Sequence, residues 1–296
     1  TTIVNAYQRN LRIRGTGSNA GRADVLETFS IYGRQAPSSS NSTASQELSR
    51  ILIQFPISEI SSDRDAGTVP TSGNVDFFLR MYNAPHSRTT PISYKLVVYP
   101  VSQSWQEGVG LDLEGYTDLT KGASGANWMS ASDSAAWTTV GGDYIKNDAS
   151  IIYEQTFDSG LEDVELNISK LVEQWISGDT NNYGVGVFLS SSFEAYYSSS
   201  TGQNTGSIIH NATGAQVSYY TKRFFARGTQ YFYMRPLIEA RWDDTLKDDR
   251  ANFYFSSSRA PAADNLNTIY FYNYIRGKLT NLPGVGTGEL LVSLYS

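Results

Sequence analysis

The carboxylates that could do chemistry lie close together, between Glu107 and Asp118. A glycosidase needs two carboxyl groups held about 5–10 Å apart in a groove, and spacing along the sequence does not show that arrangement. Asp112 and Glu114 are two residues apart, so on an extended segment they share one face and could bind Ca²⁺ together with loop carbonyls. Solvent-exposed or turn-capping carboxylates are the alternative interpretation. No cofactor other than Ca²⁺ at this pair is predicted.

Histidine and cysteine offer little for a reactive centre. The chain has two histidines, His86 and His210, and no cysteine. It therefore lacks a thiolate nucleophile, a disulfide and a thiolate-bound metal site. The Gly-x-Ser-x-Gly turn that presents a catalytic serine is also missing from the sequence. Ser–His–Asp triads are defined by geometry rather than by spacing, but surface positions are the simpler prediction for both histidines. We predict that the protein is not an enzyme.

Aromatic side chains are the other candidates for function, with 20 Tyr, 13 Phe and 5 Trp among 296 residues. Tyrosine buries a large area and keeps a hydroxyl group for a partner, so it is common at protein interfaces. On a strand, Tyr231-Phe232-Tyr233 would place rings on both faces, and one face must be covered by something outside the first core. We favour another protein as the cover of that face, rather than packing within the domain or a sugar stacked on the rings. The candidate packing and interface residues are Trp105, Trp128, Trp137, Trp175, Tyr231 and Tyr233.

Three of these tryptophans lie within residues 102–149, a stretch rich in Gly, Ser and Asp. Its aromatic content is too high for a flexible linker. We predict a long structured excursion that its tryptophans hold against a sheet. Long loops of this kind often carry function.

Trp175 belongs to the one predicted helix. Its apolar stripe, at the spacing i, i+3, i+4, i+7, consists of Ile168, Leu171, Val172 and Trp175. Ser169 is predicted to cap a helix over residues 170–176, and Gly178 to end it. We expect the stripe to close one open end of a β-sandwich.

Short alternating segments predict the rest of the fold. Residues 51–55, 75–81 and 94–98 alternate as half-buried strands do, and residues 183–189 also predict a strand. Residues 61–74 are predicted to be a polar loop. The aromatic residues between 219 and 242 are expected to form strands that close the first pair of sheets. Together these features predict an all-β fold, a jelly-roll β-sandwich with one short helix and additional C-terminal strands.

The charged segment 243–250 is the candidate domain boundary. Residues 1–242 are predicted to form the jelly roll, in which residues 1–22 are an N-terminal arm or first edge strand. Residues 243–296 are predicted to form a C-terminal β segment with three short strands. Because three strands make a poor independent fold, this segment adds to the main domain, pairs with another subunit, or begins a second β domain.

Several motifs occur in a characteristic order in the middle of the chain. They are Val98-Tyr99 leading to Trp105-Gln106-Glu107-Gly108, Trp137 with Gly141-Gly142, residues 166–178, and Asn182-Tyr183-Gly184-Val185. Over roughly residues 45–200 this order resembles the DNRLRE or adhesin-type carbohydrate-binding domain. In that jelly-roll family a W-x-E-G loop precedes a helix with V-x-x-W-x-x-G and then N-x-G. The resemblance implies a carbohydrate-binding or adhesive module, with stabilisation by Ca²⁺ as one variant.

The wider chain is similar to virion structural proteins of tailed bacteriophages that use this jelly roll. The similarity is carried by residues 108–114, Asn127-Trp128, residues 235–242 and the charged segment that follows. It implies a non-enzymatic virion protein: a capsid decoration, neck, tail or baseplate component. Its expected partners are other copies of itself and other virion proteins, and the carbohydrate-binding module is the alternative.

Charge and hydropathy narrow the list of partners. The formal net charge of -6 argues against direct nucleic-acid binding. No apolar run approaches the roughly 18–20 residues of a membrane span. The first residues resemble no secretory signal, which predicts synthesis in the host cytoplasm and localisation in the virion.

Overall fold

The computed structural model describes residues 1–5, 7–8, 13–14, 17–32, 46–86, 90–111, 124–194, 215, 218–244, 250, 258–265, 270–285, 291 and 293. The chain divides into two compact units, Thr1–Asp243 and Asp244–Ser296. The strands described in the first unit are β1 (Thr2–Asn5), β2 (Tyr7–Gln8), β3 (Ile13–Arg14), β4 (Val25–Tyr32), β5 (Gln46–Ile53), β6 (Asp76–Met81), β7 (Tyr94–Pro100), β8 (Tyr153–Phe157), β9 (Val164–Asn167), β10 (Val185–Leu189), β11 (Tyr220–Phe225) and β12 (Leu237–Arg241). Its helices are α1 (Ser58–Asp65) and α2 (Ser169–Ser177), and the strands of the second unit are β13 (Tyr274–Ile275) and β14 (Lys278–Leu279).

Two antiparallel sheets make up most of the first unit. The larger sheet has the strand order β11-β4-β5-β10-β7-β8, and β1 also pairs with β5. The smaller sheet has the order β12-β6-β9. Alternation along β6 shows why the sheets stack: Phe77, Leu79 and Met81 are buried, while Phe78 and Arg80 on the other face are half-buried.

The two sheets face each other across one apolar core. β6 contributes Phe77 and Leu79, and the larger sheet contributes Ile51, Val98 and Val187. The apolar stripe of α2 packs into the same core. The predicted all-β, sandwich-like fold is confirmed.

A second apolar cluster covers the opposite face of the larger sheet. The excursion after β7 contributes Val101, Trp128 and Trp137, and the sheet contributes Ile3 and Leu52. The first unit thus has a third layer built from loop rather than from sheet. The prediction that the tryptophans hold residues 102–149 against a sheet is confirmed for the described parts of that stretch.

The edges of the two sheets are joined on both sides of the core. At one side Asn83, just beyond β6, forms an isolated bridge with Phe224 of β11. At the other side, Nε2 of the Gln155 side chain donates to the backbone carbonyl of Asp163 at 2.6 Å. Its Oε1 accepts from the backbone amide of Glu165 at 3.0 Å. A glutamine side chain therefore takes the place of ladder hydrogen bonds between β8 and β9.

Two helix predictions were wrong. Residues 61–74 were expected to be a loop, yet α1 occupies Ser58–Asp65, so the described residues hold two α-helices instead of one. This helix has no buried residue, and its sequence lacks the apolar stripe from which a helix is predicted. Arg64 fixes its position through a two-bond ion pair with Glu173 of α2, at 2.6 and 2.7 Å. The N-terminus of α2 also differs from the prediction. Ser169 is the first residue of the helix, and its backbone amide donates to the side-chain oxygen of Asn167.

The first residues do not project as an arm. Thr2 to Asn5 are fully buried, and β1 pairs with β5 from Thr2 opposite Ile51 to Asn5 opposite Leu48. The alternative interpretation, a first strand, is the correct one for these residues. Tyr7–Gln8 and Ile13–Arg14 pair only with each other in the described structure.

Candidate interaction surfaces

The four candidate tryptophans pack inside the first unit. Trp128, Trp137 and Trp175 are 1%, 5% and 7% exposed. Trp105 is half-buried, and its indole Nε1 donates to the Tyr183 carbonyl at 2.7 Å. Trp128, Trp137 and Trp175 therefore stabilise the fold, and their burial leaves no ring face on which a sugar could stack.

Arg50 of β5 anchors the tryptophan-bearing excursion. Its guanidinium lies 4.4 Å from the Phe188 ring centroid and 5.2 Å from that of Trp128. It donates two hydrogen bonds to the Glu194 carboxylate, at 2.9 and 2.8 Å, and one to the Gly141 carbonyl at 3.0 Å. A buried cation with a two-bond carboxylate partner and stacked rings is a structural anchor. Sequence reasoning missed it because Arg50 and Glu194 are 144 residues apart.

Tyr144 completes this anchor. Its hydroxyl group donates to the Gly141 carbonyl at 2.8 Å. Burial raises the pKa of Tyr144 to about 12, although Arg50 acts in the opposite direction. The ring fills the space above Gly186, where any Cβ would collide with it. The apolar run of β10 therefore needs a glycine at this position.

A polar hollow of about 380 Å³ opens beside the anchor. It is lined by Ser102, Gln103, Thr138, Thr139, Gly142, Asp143, Tyr144 and Lys146. Its one carboxylate, Asp143, accepts from the backbone amides of Thr138 and Thr139, each at 2.7 Å. Burial lowers the pKa of Lys146, and Arg50 lowers it further. Because the acid already closes a turn, the hollow is better suited to structure than to acid–base chemistry.

Of the carboxylates between Glu107 and Asp118, the structure describes only Glu107, and Asp118 lies outside the described residues. Asp112 and Glu114, the candidate Ca²⁺ pair, lie outside the described residues. Glu107 lies at the surface and forms an ion pair with Arg227 at 2.7 Å. In the ranges that the structure describes, no group of three His, Cys, Asp or Glu side chains is placed to hold a metal ion.

An exposed aromatic ridge, made of Tyr231, Phe232 and Tyr233, is the main candidate on the first unit. The side chains are 44%, 73% and 58% exposed. Their rings touch edge to face, with centroids 6.3 Å apart for Tyr231 and Tyr233 and 5.7 Å apart for Phe232 and Tyr233. Phe225 of β11 supports the ridge, at 5.8 Å from Tyr231. The rings hold one another in place, so the ridge is preorganised for a partner.

The ridge is a 3₁₀ turn and not the predicted strand. The turn spans Phe232–Met234, and the Met234 amide donates to the Tyr231 carbonyl at 2.9 Å. Pro236 follows, and the residue before a proline is driven out of helical geometry. Arg235 accordingly has φ -66° and ψ 145°, which ends the turn and leads into β12. The strand prediction was wrong because this local turn chemistry overrode the alternation of rings.

The described residues of the second unit expose many apolar side chains. None of its described residues is buried. Those with exposed large apolar side chains are Tyr270, Phe271, Tyr274, Ile275, Leu279, Leu282 and Leu291. Its hairpin, β13 and β14, turns at Arg276 and Gly277, which both have positive φ, 54° and 79°. Two strands of two residues are not stable alone. Phe271 and Tyr272 lie just before the hairpin and outside its two strands.

Membrane insertion through a helix finds no support in these residues, since none of the described helices has the length and apolar character to cross a bilayer. Comparison of the chain with protein-family models, with curated proteins and with solved structures found no match.

Proposed function

We propose that this chain is a non-enzymatic structural subunit of a tailed-bacteriophage virion. It acts through contacts with other copies of itself and with other virion proteins, as a capsid decoration or as part of the neck, tail or baseplate. The observation that carries the proposal is the second unit, whose described residues expose apolar side chains and bury none. The sequence resemblance described above indicates which kind of assembly covers them.

The energetic argument starts from the cost of leaving these side chains in water. Burying one large apolar side chain stabilises a protein by about 1.5–3 kcal/mol. Covering the exposed apolar residues of the second unit would therefore contribute on the order of 10 kcal/mol before the entropic cost of association. Contacts with neighbouring proteins in a particle would supply that stabilisation to the described apolar residues.

The aromatic ridge of the first unit supports the same proposal. Phe232 is 73% exposed, between two tyrosines that keep their hydroxyl groups available. Protein interfaces are enriched in such rings, because they add a large contact area at low conformational cost. The first unit thus presents a rigid contact surface, and the second unit gains stability from being covered.

The proposal is tested on particles from cells that produce the chain at its native level. We expect the chain in purified virions at a fixed copy number, with the side chains of Phe271 and Ile275 in density against a neighbouring protein. Absence of the chain from purified particles would overturn the proposal.

The purified full chain provides a second measurement. Light scattering should detect oligomers, and the double substitution Phe271→Asp with Ile275→Asp should convert them to monomers. The matched control is Asn281→Asp, which adds a carboxylate at an exposed polar position of the same unit. Monomers at all concentrations before any substitution would count against self-association.

For the alternative, a carbohydrate-binding or adhesive module, the aromatic ridge offers three exposed rings, whereas Trp128 is buried. A glycan array with the full chain separates the two proposals. Binding that is lost in Tyr233→Ala but kept in Trp242→Ala would favour the sugar module and argue against a protein occupant of the ridge.

A further inference from the structure

Lys222 of β11 is fully buried, which is rare for a lysine. Its Nζ donates to the side-chain oxygen Oδ1 of Asn83 at 2.7 Å, to the Glu162 carbonyl at 2.7 Å and to the Gly160 carbonyl at 3.0 Å. The rings of Phe157 and Phe224 lie on it, with centroids 5.0 and 5.1 Å from Nζ. A primary amine is thus held against a side-chain amide in a site lined by aromatic rings.

We propose that Lys222 and Asn83 form an intramolecular isopeptide bond. The Nζ of Lys222 attacks Cγ of Asn83, a bond forms between these two atoms, and the bond from Cγ to Nδ2 breaks. The ammonium group of lysine and the carboxamide of asparagine become one secondary amide and one ammonium ion. Before the reaction the two nitrogens carry five hydrogens, three on the lysine ammonium group and two on the carboxamide. After it the new amide carries one and the ammonium ion carries four. No oxidant, cofactor or further reactant is needed.

The surroundings favour the attack. Burial lowers the pKa of Lys222 to about 8, so about a tenth of the amine is neutral and nucleophilic at pH 7. Asn83 is held in place, because its backbone amide donates to Asp163 Oδ1 at 2.7 Å. Fixing two reactants in contact replaces an encounter in solution by a step within one molecule.

Glu162 contacts the amine through its backbone and acts on it through its charge. Its carbonyl accepts from Nζ, and its carboxylate acts electrostatically on Lys222. One carboxylate oxygen accepts from the Ser159 amide at 2.6 Å, whereas the other, Oε2, is buried without a hydrogen-bond partner.

The position of the bond explains what it would do. Asn83 follows β6 of the smaller sheet, whereas Lys222 lies in β11 of the larger one. Their strands already approach there, since the Ala84 amide donates to the Arg223 carbonyl at 3.1 Å and the Phe225 amide to the Tyr82 carbonyl at 3.0 Å. The isopeptide bond would join the two sheets covalently at this edge, independently of the function proposed above.

Intact mass spectrometry of the purified full chain tests the proposal without any substitution. Loss of one ammonia should make the chain about 17 Da lighter than its sequence mass. Digestion with a protease that cuts after aromatic residues should give one branched product, in which residues 83–94 and 221–224 are joined. A chain with the full sequence mass after prolonged incubation at pH 8 would overturn the proposal, as would a loss that maps elsewhere.

Substitutions assign the bond to its two residues. Asn83→Ala and Lys222→Met should each restore the mass that their sequences give, while the controls Asn74→Ala and Lys95→Met should keep the loss. A full loss of ammonia in Asn83→Ala would refute the assignment, and unfolding of a variant leaves the result on the unsubstituted chain decisive.

Discussion

The tryptophan-bearing excursion and the C-terminal unit are both loop-rich and aromatic, yet their rings end in opposite environments. In the excursion, Trp128 and Trp137 are buried against the outer face of the larger sheet. In the C-terminal unit, Phe271 is 68% exposed, and the only described ladder joins two strands of two residues. The difference between the described rings teaches that aromatic content alone does not decide which rings are covered. A broad sheet face must be present to receive the rings, and the excursion has one.

The largest effect on folding is expected for Trp128→Ala. The substitution removes a fully buried ring and its stacking on Arg50, so it should lower the free energy of unfolding by about 4 kcal/mol. Urea denaturation monitored by circular dichroism measures this. The matched control, Trp242→Ala, removes an indole that is 39% exposed and should cost much less. Equal losses of unfolding free energy in the two variants would contradict the view that the rings of the excursion form a core.

Glu194→Ala is expected to destabilise the excursion almost as strongly. It leaves the Arg50 guanidinium buried without its carboxylate, and losing one partner of a buried ion pair costs about 3 kcal/mol. Glu154→Ala, which removes an exposed partner of Lys95, should cost less than about 1 kcal/mol. The same denaturation experiment compares them, and a small effect of Glu194→Ala would show that Arg50 is not the anchor.

Gly186→Ala tests how closely the excursion packs on the sheet. The added methyl group would collide with the Tyr144 ring, and overpacking of this kind costs about 2 kcal/mol. Gly17→Ala is the control, since a Cβ there meets nothing within 4 Å. If thermal unfolding gave the two variants equal stability, the layer formed by the excursion would be looser than the structure indicates.

Alkaline pH should loosen the excursion through Tyr144. Burial raises the pKa of this phenol to about 12, above the usual tyrosine value of about 10, so the folded state holds its proton more tightly than the unfolded state does. The resulting stabilisation is complete below pH 10 and is lost as the pH rises through 12. Unfolding free energies of the natural chain and of Tyr144→Phe should therefore converge over this range. A constant difference between the two would contradict the burial of Tyr144.

The smallest effect on folding is expected at the aromatic ridge. Phe232→Ser should change the free energy of unfolding by less than about 0.5 kcal/mol, because the ring is 73% exposed. The substitution should instead impair assembly into particles, which sedimentation measures. A destabilisation comparable to that of Trp128→Ala would show that the ridge belongs to a core.

Local patterns predicted the elements that bury one face. Alternation located β6 and β7, and the stripe of Leu171, Val172 and Trp175 located α2 together with its end at Gly178, where φ is 82°. These signals work because the periodicity of a strand or helix must match its buried face. The same logic placed the ridge in a strand, and it failed there because Pro236 constrains the backbone whatever the pattern of rings.

The sequence by itself determined that this chain forms short antiparallel strands around an apolar core, with one amphipathic helix and a large aromatic surplus. Only the tertiary structure decided which rings are covered. It also decided that α1 is held by Glu173, that Arg50 meets Glu194, and that Lys222 meets Asn83. Each of these depends on groups that are far apart along the chain and adjacent in space, for which a single sequence carries no periodic signal. The free energy of such contacts comes from burial and charge, which exist only once the sheets have assembled.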